Sequence, residues 1–167
     1  MNKHSRILSF ALFLAATAAS AQDSATASTT AEIITPISIV NAADMNFGTL
    51  AAAPTTGTVV LGTDGSRSST GGVTLSTSGT ASTAASFTVT GEANSTYSLT
   101  LPSSITLSGP TSTMTVDTFI SSPATQGTLN GSGSSTVNIG ATLNVGANQA
   151  DEVYTNAADL TVTVNYN

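Results

Sequence analysis

Serine and threonine crowd this chain, but the side chains that would activate them are confined to its first residues. Lys3, His4 and Arg6 lie at the N-terminus; after them the sequence holds no lysine, histidine or cysteine, and Arg67 is the one remaining cation. A serine or cysteine nucleophile needs a base within hydrogen-bonding reach, ordinarily histidine, so that chemistry lacks its parts. Metal sites built on imidazole or thiolate lack theirs too. Carboxylate chemistry survives, as in glycoside hydrolysis, which sets two acids on opposite sides of a cleft. The nine acids are scattered, and Asp151-Glu152 is the one adjacent pair. Neighbours on a strand point to opposite faces, so this pair reads as a solvated loop. Calcium asks only for carboxylate and carbonyl oxygens, yet neither the turn at Asp64 nor residues 148–152 carry the alternating ligand spacing of a calcium loop. The expectation is a non-enzyme with no catalytic residue, no cofactor and no metal site.

The N-terminus explains where the cations went. Lys3, His4 and Arg6 precede a ten-residue apolar run over 7–16, and Ala19-Ser20-Ala21 supplies small side chains where a signal peptidase cuts. Residues 1–21 are therefore read as a signal peptide, and the mature chain as exported. Its side-chain charge is one arginine against nine acids, a balance that disfavours nucleic acid and anionic membranes as partners. The mature length suits one domain. With no cysteine, that domain forgoes the staple small exported proteins often use, and its large apolar side chains are sparse.

Those side chains are spaced for strands. Short Val, Ile, Thr and Phe runs alternate with polar residues and are bounded by Gly, Pro, Ser and Asn. Residues 22–31 form a polar leader without core-forming side chains. Strands are expected at 32–40, 45–50, 58–61, 73–76, 85–91, 96–101, 105–107, 114–120, 136–139, 142–145 and 159–167, with a tight turn at Thr63-Asp64-Gly65-Ser66. Pro36 inside the first of these marks an edge or a bulge. The fold expected over 32–167 is an all-β, immunoglobulin-like sandwich with Greek-key connections.

The last strand is the clearest. Leu160, Val162, Val164 and Tyr166 alternate with polar residues, and the chain closes on Asn167. This pattern resembles the C-terminal strand of pilins assembled by the chaperone–usher route. That resemblance implies an incomplete sandwich completed by a donated strand, first from a periplasmic chaperone and then from the next subunit. It assigns assembly to Leu160, Val162, Val164, Tyr166 and Asn167, with the partners other copies of the chain, a periplasmic chaperone and an outer-membrane usher. The leader 22–31 is then the candidate donor. A broader similarity is carried by Ile37-Ser38-Ile39, Asn46-Phe47-Gly48-Thr49, Val89-Thr90-Gly91-Glu92-Ala93-Asn94 with Tyr97, Leu101-Pro102-Ser103-Ser104-Ile105-Thr106-Leu107 and Gly140-Ala141-Thr142-Leu143-Asn144-Val145, with the ending from Thr161 to Asn167. By these segments the chain resembles a bacterial secreted family known as domain of unknown function 4402, which implies an envelope or surface protein of fimbrial type. The alternative is a complete, monomeric sandwich that binds a glycan or another surface ligand.

Overall fold

The computed structural model describes residues 22–156 and 160–167; the signal peptide expected over 1–21 and the start of the last expected strand lie outside them. Residues 22–32 belong to a first unit and are exposed and without regular structure. Residues 33–167 form the second, which is all β.

Ten strands build the second unit: β1 Ser38–Ala43, β2 Leu50–Leu61, β3 Arg67–Leu75, β4 Ala85–Thr90, β5 Thr96–Thr100, β6 Ser104–Ser108, β7 Thr113–Ser122, β8 Gln126–Thr128, β9 Ser134–Val145 and β10 Thr163–Tyr166. They form a seven-stranded and a three-stranded antiparallel sheet packed into a sandwich. Neighbouring strands are often far apart in sequence, β9 beside β4 and β10 beside β5.

The spine is β9. Its residues Ser134 to Ile139 pair with β4, and Ala141 to Val145 pair with β2. Its other edge carries β7, because Asn138 and Ile139 pair with β4 and β7 at once, and Thr142 to Asn144 with β2 and β7. Gly140 marks the handover. A Cβ there would lie 2.2 Å from the Leu61 carbonyl oxygen, so only glycine lets β2 end against β9. The expected break in β9 is thus a change of partner within one unbroken strand.

Proline and bulges explain the other boundary changes. The first strand begins at Ser38, after Pro36, whose missing N–H and fixed φ keep the preceding residues out of the ladder. In β2 the register shifts between Ala52 and Gly57, around Pro54, so one strand bridges what the sequence suggests is a gap. The expected strand at 45–50 is instead an approach to β2, which begins at Leu50: Asn46 bridges Thr83, the Thr49 N–H donates to the Thr80 carbonyl, and the Thr49 carbonyl accepts the Ser76 N–H. The turn after β2 forms as expected: the Ser66 N–H and hydroxyl both donate to Asp64 Oδ1, at 3.0 and 2.6 Å. A bulge at Thr118 (φ 50°) shifts β7 between Asp117 and Ile120. Met114 and Val116 point inward before it and Phe119 after it.

Two apolar clusters fill the interior. One gathers Val59, Leu61, Val116, Ala141 and Leu143; the other gathers Ala85, Val89, Tyr97, Leu129, Val137, Ile139 and Val164 between the two sheets. Met45 and Phe119 touch both. No polar residue is fully buried among the described residues. Tyr97, the largest fully buried side chain, donates its hydroxyl to Ser135 Oγ at 2.9 Å.

Candidate assembly edge

The C-terminal strand sits at the edge of the smaller sheet, paired on one side with β5: Thr163 with Thr100, Val164 with Leu99, Asn165 with Ser98 and Tyr166 with Tyr97. The Asn167 N–H donates to the Thr96 carbonyl at 3.3 Å. By antiparallel alternation Asn165 and Thr163 then also face β5, and the N–H and C=O groups of Val164 and Tyr166 point away from it. Those groups meet no strand among the described residues.

The side chains behave differently from the backbone. Val164 is buried, and Leu160, Val162 and Tyr166 pack half-buried against the same cluster, while Thr161, Thr163, Asn165 and Asn167 are exposed. The two-residue alternation in the sequence is therefore the alternation of the folded strand. β1, an edge of the larger sheet, runs close to β10 with no ladder between them.

Tyr166 closes this region. Its hydroxyl accepts the Glu92 N–H at 2.6 Å and donates to the Thr35 carbonyl at 2.7 Å. The Thr35 N–H in turn donates to Glu92 Oε2 at 2.9 Å, and that backbone bond is the main reason the Glu92 carboxyl sits below its ordinary value. Penultimate tyrosine, β4–β5 turn and the chain ahead of β1 are thus tied together. Just before the tie, Ile33 is 97 % exposed and Ile34 is 47 % exposed. Because β1 starts only at Ser38, neither isoleucine belongs to a strand.

The Asn46-Phe47-Gly48-Thr49 motif has a local explanation. Asn46 Oδ1 accepts the Gly48 N–H at 2.7 Å, and Phe47 is buried. Gly48 (φ 73°) leaves the room in which Arg67 lies, since a Cβ there would stand 2.5 Å from Arg67 Nη1. That guanidinium donates to the carbonyls of Phe47 at 2.7 Å and Thr49 at 3.0 Å, and to that of Ser76. The one cation left after the N-terminus therefore holds backbone.

The Asp151-Glu152 pair separates. Asp151 is exposed, whereas Glu152 reaches back to the turn between β6 and β7. Its carboxylate accepts from the Thr111 N–H (3.1 Å to Oε2) and hydroxyl (2.9 Å) and from the Ser112 N–H (3.0 Å) and hydroxyl (2.9 Å). Partial burial pushes its pKa up, but the Ser112 and Thr111 bonds together outweigh that and hold it below the ordinary value. Gln149 and Tyr154 join the same turn through Ser112. These contacts span about forty residues of sequence, so neither composition nor spacing signals them.

Two concavities lie on the surface of the described residues. An apolar groove of about 470 Å³ lies along Leu99, Leu101, Pro102 and Phe119. A cleft of about 580 Å³ opens over the outer face of the larger sheet, where Thr56, Thr58, Thr70, Thr115, Asn144 and Gln149 line it beside Met114 and Val145. The cleft follows the ladder, in which Thr70, Thr58, Asn144, Thr115 and Thr106 stand in one row across five strands.

A family model described as "Domain of unknown function (DUF4402)" matches residues 37–166, and the chain belongs to that family. No curated protein and no solved structure matches the chain.

Proposed function

We propose that this chain is an exported structural subunit of pilin-like type, which assembles by adding a strand from one copy to the open edge of β10 in the next. The observation that carries the reading is the pair of neighbouring edges, β1 and β10, that approach without pairing. β10 offers outward N–H and C=O groups while its apolar side chains face the core. An added strand gains main-chain hydrogen bonds there, with alternate side chains entering the seam between the sheets. Sheet edges that must stay unpaired are commonly guarded by lysine, and the chain after residue 3 has none.

The donor on this reading is the chain ahead of β1. Residues 22–31 alone offer only small and polar side chains, but the late start of β1 adds Ile33 and Ile34, both exposed. Export through the signal peptide, passage through the periplasm with chaperone and usher, and a place on the cell surface belong to the same proposal. The test is electron microscopy of purified mature protein beside a variant lacking residues 22–34, which keeps the Thr35 tie. Filaments from the first and folded monomers from the second are expected. Filaments of normal length after the deletion would overturn the reading.

A second reading rests on the cleft over the threonine row. A monomeric sandwich with hydroxyl and amide groups over a concave sheet face suits a neutral, hydroxyl-rich ligand such as a glycan. It predicts a stable monomer whose glycan binding is lost on changing Asn144 to Leu.

A further inference from the structure

Four side chains from two distant parts of the chain converge below the β6–β7 turn. Ser112, at the entry to β7, places its Oγ 2.9 Å from Glu152 Oε1, 3.0 Å from Gln149 Nε2 and 2.5 Å from the Tyr154 hydroxyl. Gln149 is fixed at both ends of its carboxamide. Nε2 donates to the Thr113 carbonyl at 3.2 Å and to the Tyr154 oxygen at 2.8 Å, and Oε1 accepts the Gly146 N–H at 3.2 Å. Ser112, Gln149 and Glu152 are all half-buried, and Tyr154 donates onward to the Ala150 carbonyl at 2.9 Å.

Chemically these are a nucleophile, a base, an electrophile and an oxyanion donor, with the serine Oγ meeting the carboxamide at its Nε2. A serine hydroxyl becomes nucleophilic when an adjacent carboxylate accepts its proton. A carboxamide becomes acylating when an N–H stabilises the charge that develops on its oxygen. Holding the groups together replaces a bimolecular encounter with a step inside one molecule.

We propose that Ser112 and Gln149 form an intramolecular ester cross-link. Ser112 Oγ attacks Gln149 Cδ as its proton passes to Glu152. The tetrahedral oxyanion on Oε1 is held by the Gly146 N–H. Collapse breaks the Cδ–Nε2 bond, the nitrogen takes the proton back from Glu152, whose Oε1 lies beside the Ser112 oxygen now bonded to Cδ, and ammonia leaves. One C–O bond replaces one C–N bond, no electron is gained or lost, and Glu152 ends as the carboxylate it began as. The product ties the start of β7 to the loop after β9, which gives a cysteine-free exported chain a covalent staple. It does not depend on how, or whether, the chain assembles.

Mass spectrometry of the purified, folded mature protein tests this. Loss of ammonia makes the chain about 17 Da lighter than its sequence, but cyclisation of an N-terminal Gln22 gives the same loss, so the bond must be located. Cleavage after acidic residues releases 93–117, with Ser112, and 118–151, with Gln149. The expected result is one joined species, about 17 Da below the sum of the two, which mild alkali separates. Ser112→Ala releases the two peptides separately, and Glu152→Gln lowers the joined fraction at least about tenfold. Two separate, full-mass peptides from the wild-type protein would overturn the cross-link and leave a hydrogen-bonded clamp. Complete joining in Glu152→Gln would overturn the role of Glu152 as base.

Discussion

Replacing Arg67 with methionine keeps the aliphatic stem and deletes every donor of the guanidinium. Three carbonyls lose a partner: Phe47 and Ser76, in partly buried contacts, and Thr49, in an exposed one. Water can replace the donor at Thr49. The other two carbonyls lose charge-assisted bonds and remain partly shielded, at roughly 1–3 kcal/mol each. The working figure is a loss of about 3 kcal/mol, or a fall in Tm of roughly 6–12 °C for a chain of this size. Lysine in the same place keeps the charge but cannot fork to three separated carbonyls, so about half the loss is expected to remain. The partners are carbonyl dipoles rather than carboxylates, so added salt should leave the differences nearly unchanged. Thermal unfolding followed by circular dichroism at low and high salt provides the assay. A methionine variant that melts within about 2 °C of wild type would refute the reasoning.

Further outcomes follow from the packing and the carboxylates. Leu61 is fully buried while Val60, its neighbour on β2, is 39 % exposed; Leu61→Ala should cost about 3 kcal/mol and Val60→Thr less than about 0.5, as read by urea unfolding. The carboxyls of Asp64, Glu92 and Glu152 lie below their ordinary values of 3.8, 4.5 and 4.5. Their contribution is therefore fully present above those values and lost as pH falls through the lower folded ones. Tm should hold level from neutral pH down to about 5 and drop below about 4.5, and Glu152→Gln should flatten part of that drop.

The sandwich was legible because alternation survives in short windows. The run from Leu160 to Tyr166 reads as a half-buried strand, and its apolar members do line the core. Strand limits were less legible wherever a single residue has two readings. Gly140 lies between two expected strands but is a close-approach point inside β9, and Pro36 marks an edge or a bulge in the sequence, whereas β1 is an edge strand whose pairing begins only after the proline. The strand Gln126–Thr128 has no signal in the sequence, since three residues of polar–glycine–polar type carry no apolar period. The tie between Tyr166, Glu92 and Thr35 and the cluster around Ser112 depend on which loops the topology brings together. Nothing in local spacing encodes that. Arg67 is the reverse case. Its isolation is plain in the sequence, but its binding of backbone carbonyls rather than an acid appears only in the fold.

The open edge of β10 carries the account, and amide hydrogen exchange reads it directly. The protein lacking residues 22–34 should exchange the N–H groups of Val164 and Tyr166 rapidly, while those of Thr163 and Asn165, which face β5, stay protected. Adding a synthetic peptide of residues 22–37 in excess should bring Val164 and Tyr166 to the protection of their neighbours. Unchanged exchange at these two amides with the peptide bound, or protection of both before it is added, would contradict assembly at this edge.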